Sequence, residues 1–331
     1  MIILTKEDIK KCFNMEEAIE AAKKSLAIYT DNKAIVPLRN NIRIEKSNGN
    51  ILYMPASTVS DVESSGIKIV SVYPDNIKEN LPAVPATMIL VDSNTGIVSA
   101  VLDGTYLTQL RTGAVQGAAT DILANKDAQT GALIGTGGQA YQQAIAMLTV
   151  RKLKKLKVFS LDNNKAQEFV TNLQKDIEGT FDTKIELAIS AEECVKDADI
   201  ITTVTTSKVP TFKDEFVKQG AHVNGVGAFT EDMLEMPVET IARANKIFFD
   251  TTDGVMAEAG DILSAIKQNL ITIDEQNVEL GNVILGTTVG RESNEEITLF
   301  KTVGTAVLDV VTAQLIFEKA KQLGIGTEIK L

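Results

Sequence analysis

The chain has 331 residues, 44% hydrophobic and 23% charged, with a formal net charge of -11, so it can bury more than one core and is neither disordered nor fibrous. The acidic balance argues against nucleic acid and leaves room for an acidic small molecule in a locally basic cleft. Cys12 and Cys194 form no CxxC, the single His222 removes a two-histidine metal site and, on an apolar strand, argues against a Ser-His-Asp triad, and no apolar run approaches a membrane span or a leader core. A cytoplasmic protein with no metal and no membrane partner is expected.

Asn14 and Glu17 have capping-box spacing at the start of MEEAIEAAKKSLAIYTD, whose apolar residues recur at helical intervals. Next, NNIRIEKSNGNILYM alternates around Ser47-Asn48-Gly49-Asn50 and reads as a hairpin; GIKIVSVYP is a strand; ATMILVDSNTGIVSAVL is a second hairpin around Asn94-Thr95-Gly96. Five of the seven prolines precede residue 90, and this first part reads as a mixed sheet with a flanking helix. From about residue 115 strands and helices alternate, which implies parallel pairing with helical crossovers. GALIG, KLKVFSLD, KIELAI, ADIITTVTT, AHVNGVG and KIFFDT are six strands of that sheet, and FKTVGTAVLDVVTAQLIFEKAKQLGIG is one long closing helix. His222 lies on the apolar AHVN and reads as structural.

Gly135-Thr136-Gly137-Gly138-Gln139-Ala140 follows a strand and opens a helix, the context in which GxGxxA binds a dinucleotide. Gly135 permits the tight turn, Gly137 admits the pyrophosphate to the backbone, Ala140 allows close packing, and the helix N-terminus favours the negative charge. Ser160 and Asp162 are the two candidates for the ribose hydroxyls at the end of the next strand. Asp162 would repel a 2'-phosphate, and it could equally cap the following helix. The cofactor is NAD or NADP, with the balance towards NAD.

GTGGQA preceded by QLRTGAVQGAATDILA, together with LYMPA, GIKIVSVYPDN, EAGDIL and TLFKTVGTAVLD, resembles the ornithine cyclodeaminase and mu-crystallin family over essentially the whole chain. The resemblance implies an α/β fold: a doubly wound Rossmann sheet over 115–303, plus a mixed α+β substrate and dimerisation domain from 1–114 and a helix at 304–331 that returns to it. It implies a homodimer, and hydride exchange between a nicotinamide and the alpha carbon of an amino or imino acid. Arg39, Lys68 and Arg111 then hold the substrate carboxylate, with Arg43 a competitor of Arg39, and Lys68 or a water completes proton transfer. Thr203, Thr205 and Val226 lie along the nicotinamide and its ribose, and Thr87 near the carboxamide. Glu258 and Asp261 are structural hydrogen-bonders.

One departure separates two chemistries. Cyclodeaminases of this family carry an aspartate shortly after the VG of GVGAFTED, where this chain has Phe229; Glu231 and Asp232 follow, and Asp232 is the possible acid. Members similar to mu-crystallin lack that aspartate and reduce ketimines, a reaction in which Phe229 would wall a dry site. The expected function is NAD(P)H-dependent reduction of a cyclic imino acid such as pyrroline-2-carboxylate or piperideine-2-carboxylate. The alternatives are ornithine cyclodeamination, an alanine dehydrogenase-like oxidation, and a binding protein that keeps the cradle without turnover.

Overall fold

The structure, a computed structural model, describes residues 1–79, 81–276 and 278–330. It divides into two compact units, Met1–Arg111 with Thr305–Leu331, and Thr112–Gly304. The helix Gly104–Leu123 carries Arg111, the last residue of one stretch, and Thr112, the first of the next.

In the first unit, among the described residues, eight strands form one mixed sheet. They are β1 (Ile2–Leu4), β2 (Ala34–Ile35), β3 (Asn40–Ile44), β4 (Gly49–Thr58), β5 (Ser64–Val72), β6 (Ala86–Val91), β7 (Val98–Asp103) and, from the other chain end, Thr327–Glu328 beside β1. Both expected hairpins form. Asn48 takes a left-handed φ of 47° after a turn at Glu45–Ser47, and Gly96 one of 71° while Asp92 accepts from the Asn94 and Thr95 amides. Residues alternate across the sheet: Met54, Ala56, Val70, Met88, Leu90, Ala100 and Leu102 are buried on one face, and the helix Ala306–Leu323 packs on β4, β5 and β6. The helix Met15–Thr30 packs on that helix in turn and starts with the expected capping box, Asn14 and Glu17 satisfying each other's amides.

In the second unit the strands are β8 (Thr130–Ile134), β9 (Lys155–Phe159), β10 (Lys184–Leu187), β11 (Ile200–Thr203), β12 (His222–Gly225), β13 (Lys246–Phe249) and β14 (Thr298–Lys301). All pair in parallel, in the order β10-β9-β8-β11-β12-β14-β13. The order reverses at β8 and β11, and a doubly wound sheet of this kind takes a dinucleotide at the carboxyl ends of the strands flanking that reversal. Six of the seven match the sequence reading. The seventh, β14, is Thr298-Leu299-Phe300-Lys301, of which Phe300 and Lys301 are expected to open the closing helix. Its four residues are all buried between two parallel neighbours, and so short an apolar run has no period to tell strand from helix. The closing helix therefore starts at Ala306, and Gly324 ends it at a φ of 66°.

Candidate functional site

Two sets of residues carry chemistry, one in each unit. In the first unit Lys68 lies on the helix-covered face of β5, directly between Met54 of β4 and Met88 of β6. Its side chain is 1% exposed. A buried ammonium needs a counter-charge, and Asp309 from the helix Ala306–Leu323 supplies it, with Nζ to Oδ2 at 2.6 Å. The other oxygen of the same carboxylate accepts from Arg111 Nε at 2.9 Å.

Arg111 is aimed by the N-terminus of its helix. Gly104 lies so close to β6 that a Cβ there would meet the Thr87 amide nitrogen at 2.6 Å, and Ala86 and Tyr106 amides bond to Thr105 Oγ1 and Asp103 Oδ1. With Nε on Asp309, Nη1 and Nη2 of Arg111 make no hydrogen bond among the described residues. A planar two-nitrogen fork of this kind matches a carboxylate. Burial, then Arg111, lowers Lys68 against the pull of Asp309, and Arg39 adds to the depression; the ammonium titrates at about 7. Lys68 can thus both hold and release a proton near neutrality.

Arg39, between β2 and β3, is half-buried and feels Lys68 electrostatically. Arg43 instead binds Asn48 and Asn50 on the exposed hairpin. Thr87 lies one residue from Met88 and so faces the other side of the sheet from Lys68, exposed.

In the second unit the fingerprint joins β8 to the helix Ala140–Val150. Gly135 has a φ of 107° and would bring a Cβ within 2.6 Å of the Val204 carbonyl, which only glycine tolerates. A Cβ on Gly137 would meet nothing within 4 Å. The backbone there is open to an approaching ligand. Thr136 and Gly138 flank it, Gln139 makes no capping bond to the helix it precedes, and its Oε1 is buried without a partner among the described residues. Ala140 is fully buried. Open backbone, an uncapped helix N-terminus and the strand reversal together fit a pyrophosphate, so the residues fit NAD.

Asp162 caps the helix Asn163–Ile177, accepting from the Lys165 amide, with Lys165 Nζ 3.3 Å away. Those bonds hold its carboxyl below the usual range. Thr203 is buried at the end of β11, its hydroxyl near the Asn224 carbonyl at 3.4 Å, and the Val226 amide donates to the Thr203 carbonyl at 3.0 Å. Thr205 Oγ1 accepts from the Ser207 amide. Phe229 is half-buried and packs on the core of the unit. Asp232 stands in solvent, 2.5 Å from Lys208 Nζ and 2.6 Å from Thr230 Oγ1. Lys208 and Thr230 hold its carboxyl below the usual carboxylate range. His222 is structural, as its apolar strand implies: it bonds Thr298 and Asn224, and burial drives its pKa to about 3.

Three charged residues escaped the sequence reading. Asp309 was part of TVGTAVLD but had no role, although a lone acid in the apolar AVLDVV is a signal of a buried counter-charge. Glu235 and Lys301, equally isolated in LEM and LFK, are both fully buried. Asp261 was expected as a hydrogen-bonder, and it accepts from the Glu235 and Met236 amides and from Lys301 Nζ.

Comparison with known proteins gives a consistent picture. The profile of the ornithine cyclodeaminase/mu-crystallin family matches residues 1–324. A Delta(1)-pyrroline-2-carboxylate reductase from Bacillus cereus is 35% identical over 330 residues, covering 100% of both chains. The solved Delta(1)-pyrroline-2-carboxylate reductase of Thermococcus litoralis, in complex with NADH and L-proline, is 38% identical with a TM-score of 0.93 over 99% of this chain and 100% of its own. An archaeal alanine dehydrogenase dimer with bound NAD is 34% identical with a TM-score of 0.90, covering 100% and 99%. These relatives are NAD-dependent oxidoreductases of carbon–nitrogen bonds.

Proposed function

The chain belongs to the ornithine cyclodeaminase/mu-crystallin family, and within it we propose that this protein reduces a cyclic ketimine acid, pyrroline-2-carboxylate or piperideine-2-carboxylate, with NADH. The observation that carries the reading is the Lys68–Asp309–Arg111 cluster: a proton-bearing lysine near neutrality beside a guanidinium whose two outer nitrogens are unused. Arg111 and Arg39 bind the substrate carboxylate. NADH, when bound at the glycine fingerprint, supplies the hydride to the C=N carbon. Lys68 gives its proton to the ring nitrogen, so that imine, hydride and proton sum to the saturated amino acid. Asp309 keeps Lys68 protonated between two cations and fixes the Arg111 fork by its Nε.

Asp232 takes no part in this scheme, and Phe229 stands in place of the cyclodeaminase aspartate. The similarity to an archaeal alanine dehydrogenase supports a second reading, oxidation of a small amino acid, which needs the same carboxylate fork. NADH consumption with the two cyclic imines, NADH formation with alanine and NAD+, and ammonia release from ornithine are to be measured side by side. Fastest turnover of a cyclic imine is expected; ammonia and proline from ornithine would replace the reading with cyclodeamination.

A homodimer is part of the same proposal. The sheet face of the first unit that points away from the closing helix carries the half-buried Ile67, Ile69, Ile89 and Val101, and near its edge Ile35 and Leu38 are 66% and 71% exposed. An apolar face of that kind suits a second copy, and the solved alanine dehydrogenase relative is a dimer.

A further inference from the structure

Glu235 belongs to no group that the proposed reaction uses, yet it is 0% exposed and its carboxylate accepts from three backbone amides. Its Oε1 accepts from the Thr205 amide at 2.5 Å, and its Oε2 from the Gly227 and Ala228 amides at 2.6 and 2.8 Å. Thr205 follows β11 and Gly227-Ala228 follow β12, so one carboxylate ties together the two loops at neighbouring strand ends. Gly227 is obligatory in this clasp: a Cβ there would meet the Thr205 carbonyl at 2.1 Å and Glu235 Oε1 at 2.7 Å.

The acid is itself held in place. Its amide donates to Asp261 Oδ1 at 2.6 Å, Asp261 Oδ2 accepts from Lys301 Nζ at 3.0 Å, and burial pushes the Glu235 carboxyl up while Lys301 pulls against that rise. Gly260 lets the helix Gly260–Lys267 approach the segment that carries Glu235, since a Cβ there would meet the Met233 carbonyl at 2.1 Å. Segments around residues 205, 227, 235, 261 and 301 are thus joined through two carboxylates, those of Glu235 and Asp261. Such a network costs desolvation and is retained where it fixes a geometry.

We propose that Glu235 is a positioning residue for the nicotinamide half of the cofactor: by clasping Thr205 and Gly227-Ala228 it presets the loops on which that half rests, before any ligand arrives. The inference rests on the reading that NAD lies at the carboxyl ends of β8, β11 and β12. It separates the cofactor into two halves with different dependence on one side chain. The fingerprint holds the adenosine diphosphate half, and the clasp serves the other half alone.

The test compares binding of NADH and of ADP-ribose, which lacks the nicotinamide, to the wild-type protein and to Glu235→Gln. Glutamine keeps shape but turns one acceptor oxygen into a donor, leaving a clasped amide unpaired. NADH affinity is expected to fall at least about tenfold, with ADP-ribose affinity within about twofold of wild type. Equal losses for both ligands, or none for either, would overturn the proposal. Amide hydrogen exchange on the free wild-type protein gives a second reading that does not depend on the variant folding: the Thr205, Gly227 and Ala228 amides should exchange slowly without ligand, and exchange at the rate of an open loop would overturn it. Failure of the wild-type protein to bind NADH would instead overturn the cofactor reading on which the proposal rests.

Discussion

At the scale of single residues the account turns on Lys68. Its proton is lost as pH rises through about 7, so kcat/KM for imine reduction should be level below that point and fall about tenfold per unit above it. Asp309→Asn removes the carboxylate that holds the proton on, which moves the break in the pH profile to lower pH; an unmoved break would mean that Lys68 is not the titrating donor. Arg111→Leu should lower kcat/KM about 100-fold, the usual cost of truncating a buried charged partner, and leave NADH affinity unchanged in a binding titration. The resemblance singled out Arg39, Lys68 and Arg111, and of these the structure brings Lys68 and Arg111 together on one carboxylate. Asp309 was not legible, because its significance lies in a contact with β5 that local sequence does not encode, and the depressed pKa follows from burial, which no motif states.

At the scale of elements, the fingerprint turn separates folding from binding. Gly135→Ala places a methyl group against the Val204 carbonyl at a positive φ, so it should lower Tm by several degrees through about 2 kcal/mol of strain. Gly137→Val meets open space, and should leave Tm nearly unchanged while abolishing tight NADH binding. Thermal melts of the two variants, with and without NADH, distinguish these outcomes. The sequence made this turn readable because glycine spacing and the strand-to-helix switch coincide there. β14 was unreadable for the converse reason: its four buried residues show no alternation, and the strand enters the sheet between β12 and β13, against chain order. Asp162 shows a third case, in which one residue type serves two purposes and the structure displays the helix cap.

At the scale of the whole molecule, an apolar sheet face in the first unit leads to a concentration-dependent property. Sedimentation should show a dimer, and Ile89→Lys, which puts a charge in the middle of that face, should yield a monomer; a monomeric wild-type protein would remove the argument. The parallel sheet and the mixed sheet were both foreseeable from the change of rhythm near residue 115 and from the hairpin signals before it, and the doubly wound arrangement from the resemblance. The return of the chain's last helix to the first part was legible from its long helical pattern as well as from the resemblance. The central claim is that hydride passes from NADH to the carbon of a cyclic C=N bond. With NADH deuterated at the transferable C4 position and pyrroline-2-carboxylate as substrate, the product should be proline carrying one deuterium at its alpha carbon; proline without deuterium, or no proline while ornithine releases ammonia, would contradict it.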